Sequence, residues 1–221
     1  MRAPTPVSSL VHSSTLVAAG AWFVYRYNFF CRPALLEALF FFRLVSVVIT
    51  GLCAVVFMDL KKIVALSTCN KVAWCLIFFV CGDLMLALLQ LLTHGVCKCY
   101  LFMAVGDLMR MSGGSQRGVG VYLSRYSGVY GVVLQLLLIF SLCGLPFLGV
   151  FFRKHGLFCS FLYKYSLVSL VGLLVGFFIS YLYSTRFALL LFRRVGGLTF
   201  GYASSFILIG LISFFGTIIK Y

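Results

Sequence analysis

YSLVSLVGLLVGFFISYLYST, residues Tyr165 to Thr185, contains no Asp, Glu, Lys or Arg, and its polar side chains are all serine, threonine or tyrosine hydroxyls. A helix of about 20 such residues, rising about 1.5 Å per residue, spans a hydrocarbon core about 30 Å thick. The same absence of charge recurs across Ala3 to Tyr25, Tyr126 to Phe152 and Val195 to Ile219. Over all 221 residues, 63% are hydrophobic and 10% charged, a balance that a soluble domain cannot present to water. The solvent this sequence requires is lipid.

A formal charge of +14 would point to nucleic acid in a soluble protein. Here the basic residues are scattered at the ends of apolar runs, as loop lysines and arginines are in membrane proteins, and no nucleic-acid partner is expected. Most of the nine cysteines, Cys53, Cys75, Cys97, Cys99 and Cys143 among them, lie inside apolar runs and read as small apolar fillers. Cys97-Lys98-Cys99 lacks the spacing and the second pair of a zinc site, so no metal is expected. The first apolar run is too long, and too rich in Ser and His, for a cleavable signal.

Apolar runs and their polar punctuation predict an all-α, polytopic transmembrane bundle of about seven helices in a single domain, 1–221. The spans fall at 5–25, 34–57, 60–80, 84–107, 129–159, 163–192 and 199–219, with a long connection at 108–128. Gly144-Leu145-Pro146 sits near the middle of the fifth span, and proline removes a backbone donor and clashes with the preceding turn, so that helix is expected to break. Broken spans persist in membranes only where protein or a water-filled cavity satisfies the freed groups. Loop charge sets the topology. Arg2, Lys61, Lys62, Arg110, Arg117, Arg125, Arg193 and Arg194 fall on one side, and Arg26, Arg32, Lys164 and Lys220 on the other. The positive-inside rule then puts 108–128 and the N-terminus in the matrix or cytoplasm. Gly113 to Gly120 in that connection has no Gly-Lys-Ser or Gly-Lys-Thr ending and follows a membrane helix, so it reads as a flexible connection and not a phosphate cradle.

Polar residues inside the spans carry the functional signal, because a Lys or Arg at a helix centre costs roughly 2.5–3.5 kcal/mol on insertion scales. Gln90, His94 and Lys98 recur every four residues, a polar ladder spread over roughly 12 Å on one helix face. Lys98 could instead snorkel and His94 could be a packing residue, but Lys98 lies deep in its span, which favours function. His12 stands with Ser8 and Thr15 on one stripe, beside Ser9 and Ser13; for it, structural hydrogen bonding and proton transfer stand level. Lys154 follows Pro146 next to Arg153 and His155, within the membrane or at its edge. Lys71 falls near the centre of the third span, and its spacing assigns it no role.

Three stretches read together resemble the antiporter-like membrane subunits of respiratory NADH:ubiquinone oxidoreductase, complex I: Pro4 to Gly20 (PTPVSSLVHSSTLVAAG), Asp59 to Thr68 (DLKKIVALST) and Leu92 to Lys98 (LTHGVCK). Leu145-Pro146 through Phe152-Arg153-Lys154 is similar to that family's broken helix and its lysine, and Ser180 to Arg186 (SYLYSTR) to the helix that follows. The resemblance covers most of residues 3–194 and implies half-channels joined by a central line of lysines, histidines and water. It makes His12, His94, Lys98 and Lys154 proton-relay residues, with Lys98 central and Lys154 on the exit side, supported by Gln90, Thr15 and Pro146. Gln90 stands where bacterial relatives carry another histidine, and Lys71 where many relatives carry glutamine.

By length the chain departs from the family, which begins several helices earlier and ends in a lateral helix, so it is expected to be part of a longer subunit. The resemblance implies proton translocation across the mitochondrial inner membrane, with the other membrane-arm subunits and the lipid bilayer as partners. Richness in Phe, Leu, Val, Gly, Tyr and Cys is compatible with a strand-biased mitochondrial genome. No flavin, nicotinamide or iron–sulfur fingerprint is present, so no cofactor is expected in this chain; NADH and ubiquinone would be used by the assembled complex. The rival expectations are a subunit of a multi-subunit cation/proton antiporter and a structural membrane scaffold.

Overall fold

The computed structural model describes residues 7–8, 10–11, 15–27, 32–111, 129–144, 154–159 and 167–192. Among these the chain is built from α1 (Leu16–Arg26), α2 (Pro33–Val56), α3 (Leu60–Val80), α4 (Leu84–Met111), α5 (Val129–Cys143) and α6 (Leu167–Phe192), with a short helical segment at 154–159. Among the described residues four helices are long and apolar enough to cross a membrane, over Pro33–Val56, Leu60–Val80, Leu84–Gly106 and Ser169–Leu190. The expected span at 199–219, most of the 108–128 connection, His12 and Pro146 lie outside the described residues.

Local chemistry sets the helix ends. Pro33 opens α2, where its missing N–H removes nothing the helix needs. Asp59, extended at φ −77° and ψ 120°, opens α3, accepts from the Ile63 N–H at 3.0 Å and pairs with Lys62 at 2.8 Å. The turn from α3 to α4 runs through Gly82, at φ 94° in the left-handed region that lacks a penalty only for glycine. The first helix is shorter than its apolar run suggested. The Thr15 N–H and hydroxyl both donate to Leu10 O, at 3.1 and 2.9 Å, and the helix starts at Leu16.

α3 is the central element. It packs between α2 and α4, α1 leans on both α3 and α4, and α6 lies against α2 and α5. Glycines permit the closest approaches: a Cβ on Gly176 would meet Val47 Cγ1 at 3.0 Å and Trp74 Cζ2 at 3.2 Å, and one on Gly172 would meet Leu44 at 2.8 Å. Small residues serve helix contacts in lipid, where van der Waals packing replaces the hydrophobic drive. The outward faces of α2 and α6 stay apolar, with Phe42, Ile49 and Val56 exposed on one, and Val171, Phe178 and Leu189 on the other.

Two apolar clusters stack along the bundle. One joins Leu60, Ile63 and Val64 to Tyr100, Leu101, Phe102 and Leu138; the other joins Trp74, Phe78 and Leu76 to Phe40, Val47, Ala87 and Leu173. Because α3 and α4 run antiparallel, the residues left between the clusters on each helix fall at one level. The buried ones among them are polar: Ser67, Thr68, Asn70 and Lys71 on α3, and His94 on α4.

Candidate functional site

The site is built around that polar layer and the broken end of α5. Gln90, His94 and Lys98, four apart on α4, are 1%, 1% and 3% exposed, so the whole ladder faces protein. Lys98 Nζ donates to Ser67 Oγ on α3, and the Ser67 hydroxyl in turn donates to Val64 O at 2.7 Å. Neither ring nitrogen of His94 has a hydrogen-bond partner among the described residues, an arrangement that leaves both for water.

α5 ends at Cys143 because Gly144 turns left-handed at φ +79°, its N–H returning to Phe140 O at 3.1 Å and Ser141 O at 3.2 Å. A helix end leaves its last carbonyls without intrahelical donors and carries partial negative charge. Two lysines supply the donors. Lys71 Nζ donates to Leu142 O and Lys154 Nζ to Cys143 O, so adjacent carbonyls of one helix end hold ammonium groups from α3 and from 154–159. Lys154 also lies 4.5 Å from the Phe177 ring centroid and 6.0 Å from that of Trp74, and these rings stack at 4.3 Å and 18°. Ring faces and a carbonyl stabilise a cation without trapping its proton as a carboxylate would.

Ser67, Lys71, Lys98, Cys143, Tyr183 and Ser184 contribute to the lining of a cavity of about 20 Å³. A water needs about 10–15 Å³ and several polar partners, and this space offers both. The Tyr183 hydroxyl, buried on α6, has no partner among the described residues. Among the described residues no carboxylate pairs with Lys71, Lys98 or Lys154; Asp59 pairs instead with Lys62, at the start of α3.

Of the expected relay residues, the structure places Lys98 and His94 in the buried layer and Lys154 at the helix break, with α3 between them. Thr15 is exposed, its hydroxyl bound to Leu10 O and not turned to the layer. Sequence reasoning left Lys71 without a place and missed Ser67, Tyr183 and the Trp74–Phe177 floor. A signal for the first pair existed, since Ser67 and Lys71 are four apart on one helix. Nothing in the sequence pairs Trp74 with Phe177.

The helix end yields a first prediction. A Cβ on Gly144 would lie 2.9 Å from Lys154 Cδ, and a left-handed residue with a side chain costs roughly 1–2 kcal/mol. Gly144→Ala is therefore expected to lower thermal stability and push Lys154 off Cys143 O. An alanine variant with the parental melting temperature and proton transport would contradict it.

Comparison with known proteins finds a family, sequence relatives and similar solved structures. Residues 1–180 match the family described as NADH:quinone oxidoreductase/Mrp antiporter, TM. NADH-ubiquinone oxidoreductase chain 5 of Apis mellifera ligustica is 34% identical over 197 residues, 86% of this chain and 35% of that protein. The protein of the same name from Mytilus edulis is 38% identical over 161 residues, 70% of this chain and 28% of that one. The chain thus spans about a third of the length of the curated relatives it matches. In fold it is similar to a chain of the membrane-bound sulfane sulfur reductase, an archaeal respiratory membrane complex, at TM-score 0.83 and 17% identity over 99% of this chain and 47% of that one. It is likewise similar to a chain of the Mrp complex from Dietzia sp. DQ12-45-1b, at TM-score 0.70 and 23% identity over 98% of this chain and 25% of that one.

Proposed function

Because the chain belongs to the NADH:quinone oxidoreductase/Mrp antiporter membrane family, we propose that it is part of a membrane-arm subunit of mitochondrial NADH:ubiquinone oxidoreductase that carries protons across the inner membrane. The names of its curated relatives support this over a cation/proton antiporter. In this reading electrons pass from NADH to ubiquinone elsewhere in the complex, and this chain supplies part of the proton path. Its partners are the neighbouring membrane-arm subunits and the bilayer.

The observation that carries the reading is the pair of buried lysines, Lys98 and Lys71, with the half-buried Lys154 beside them, lying in a bundle without a paired carboxylate among the described residues. A scaffold has no need of ammonium groups at such desolvation cost. Lys98 sits beside the cavity, and Lys154 is held at the break by a carbonyl and aromatic faces, so each retains a geometry from which a proton can be passed on.

The test is made on membrane vesicles holding the assembled complex, supplied with NADH and ubiquinone, with electron flow and proton uptake recorded together. Lys154→Met is expected to preserve electron transfer and lower the number of protons moved per electron. An unchanged ratio would remove Lys154 from the path. Proton movement driven by a sodium gradient without NADH would assign the chain to an antiporter.

A further inference from the structure

We propose that Lys71 is a proton-carrying link between Lys98 and Lys154. The proposal rests on the relay reading above and gives a task to a residue that neither spacing nor the family resemblance explained. Lys71 is 1% exposed at the centre of α3, and its neighbours are the ends of the expected path. On one side it shares the small cavity with Lys98, whose Nζ is held by Ser67, one helical turn from Lys71 along α3. On the other it donates to Leu142 O, while Lys154 donates to the next carbonyl, Cys143 O. Lys98 and Lys154 are thereby joined through one side chain and one helix end.

The titratable and charged groups around Lys71 are Lys98, Cys143 and Tyr183 at the cavity, His94 on α4 in the same polar layer, Lys154 beyond the helix end, and Cys75 one turn along α3. None is a carboxylate. A permanent structural cation would normally be matched by one, because an unpaired buried charge is among the costliest features of a protein interior. In a row of lysines, by contrast, the protonation of each depends on its neighbours, which is the property a relay uses.

The step balances with a single water in the cavity. Lys98 Nζ gives a proton to the water oxygen as one of the water's own protons passes to the lone pair of a neutral Lys71 Nζ. The O–H bond broken at the water is replaced by the one formed, water is regenerated, and one positive charge has moved from α4 to α3. Neutral Lys71 still has N–H groups for Leu142 O, so the amine keeps its place in both states. The charged form then faces the helix end at which Lys154 is bound.

Substitution at Lys71 separates a relay from a helix cap. Glutamine keeps an N–H donor for Leu142 O but carries no exchangeable charge; arginine keeps donor and charge but does not release its proton. In vesicles holding the assembled complex, Lys71→Gln and Lys71→Arg are both expected to keep electron transfer and to lower the proton-to-electron ratio to that of Lys98→Met. The double variant Lys71→Gln with Lys98→Met should fall no further, as groups acting in series do. A parental ratio in either Lys71 variant, a further drop in the double variant, or failure of both to assemble would make Lys71 a structural cap and overturn the link. Loss in Lys98→Met with retention in Lys71→Gln removes the link alone. A parental ratio in Lys98→Met removes the function proposed above and the link with it.

Discussion

Replacing Lys98 by methionine is expected to leave the bundle assembled and to slow proton transfer through this chain by on the order of a hundredfold, the usual worth of one acid–base group. Methionine preserves the apolar stem that passes between α3 and α4 and removes the titratable group at its end. Its cost to folding is small, since the ammonium it removes has one side-chain partner, Ser67, whose hydroxyl keeps its bond to Val64 O. Complex abundance measured beside proton uptake separates the two effects. A methionine variant that accumulates poorly but pumps at the parental rate per complex would make Lys98 a packing residue.

Trp74→Ala is expected to have the largest effect on stability. Trp74 is 1% exposed, stacks on Phe177 and fills the space that Gly176 opens between α2, α3 and α6. Truncating a buried tryptophan costs about 3–5 kcal/mol where the surroundings cannot close the cavity, and here helices from three directions hold it open. The same change removes one face of the aromatic floor beneath Lys154. Thermal unfolding of the solubilised complex should show a clear drop, partly restored by Trp74→Phe. A melting temperature equal to the parent's would contradict this account of the core.

How far the sequence foretold this arrangement differs from residue to residue. The bounds of α3 were legible because both ends are written in local chemistry, an extended Asp59 and a left-handed Gly82, and such signals act within a few residues. The ladder was legible because four-residue spacing is a property of one helix, and Gln90, His94 and Lys98 are all buried. The break was legible in part: proline drew attention to it, but the described turn is made by Gly144, two residues earlier. Lys71 was not legible, because the carbonyl that holds it lies on α5, far along the chain, and helix periodicity says nothing about which distant backbone a side chain will meet. The same holds for Ser67 with Lys98 and for Lys154 above Phe177. The start of α1 at Leu16 was missed because apolar composition measures length in lipid and not the backbone hydrogen bond from Thr15 to Leu10 O.

The central claim is that the buried lysines hand protons on and are not fixed charges. The most direct test is the proton-to-electron ratio of the assembled complex carrying Lys98→Arg, measured at matched complex abundance. Arginine keeps a positive group and hydrogen-bond donors for Ser67, yet its guanidinium does not release a proton under ordinary conditions. The account predicts an assembled complex that transfers electrons with a lowered ratio, as in the methionine variant. Full coupling in the arginine variant would show that a fixed charge suffices at this position and would contradict the relay.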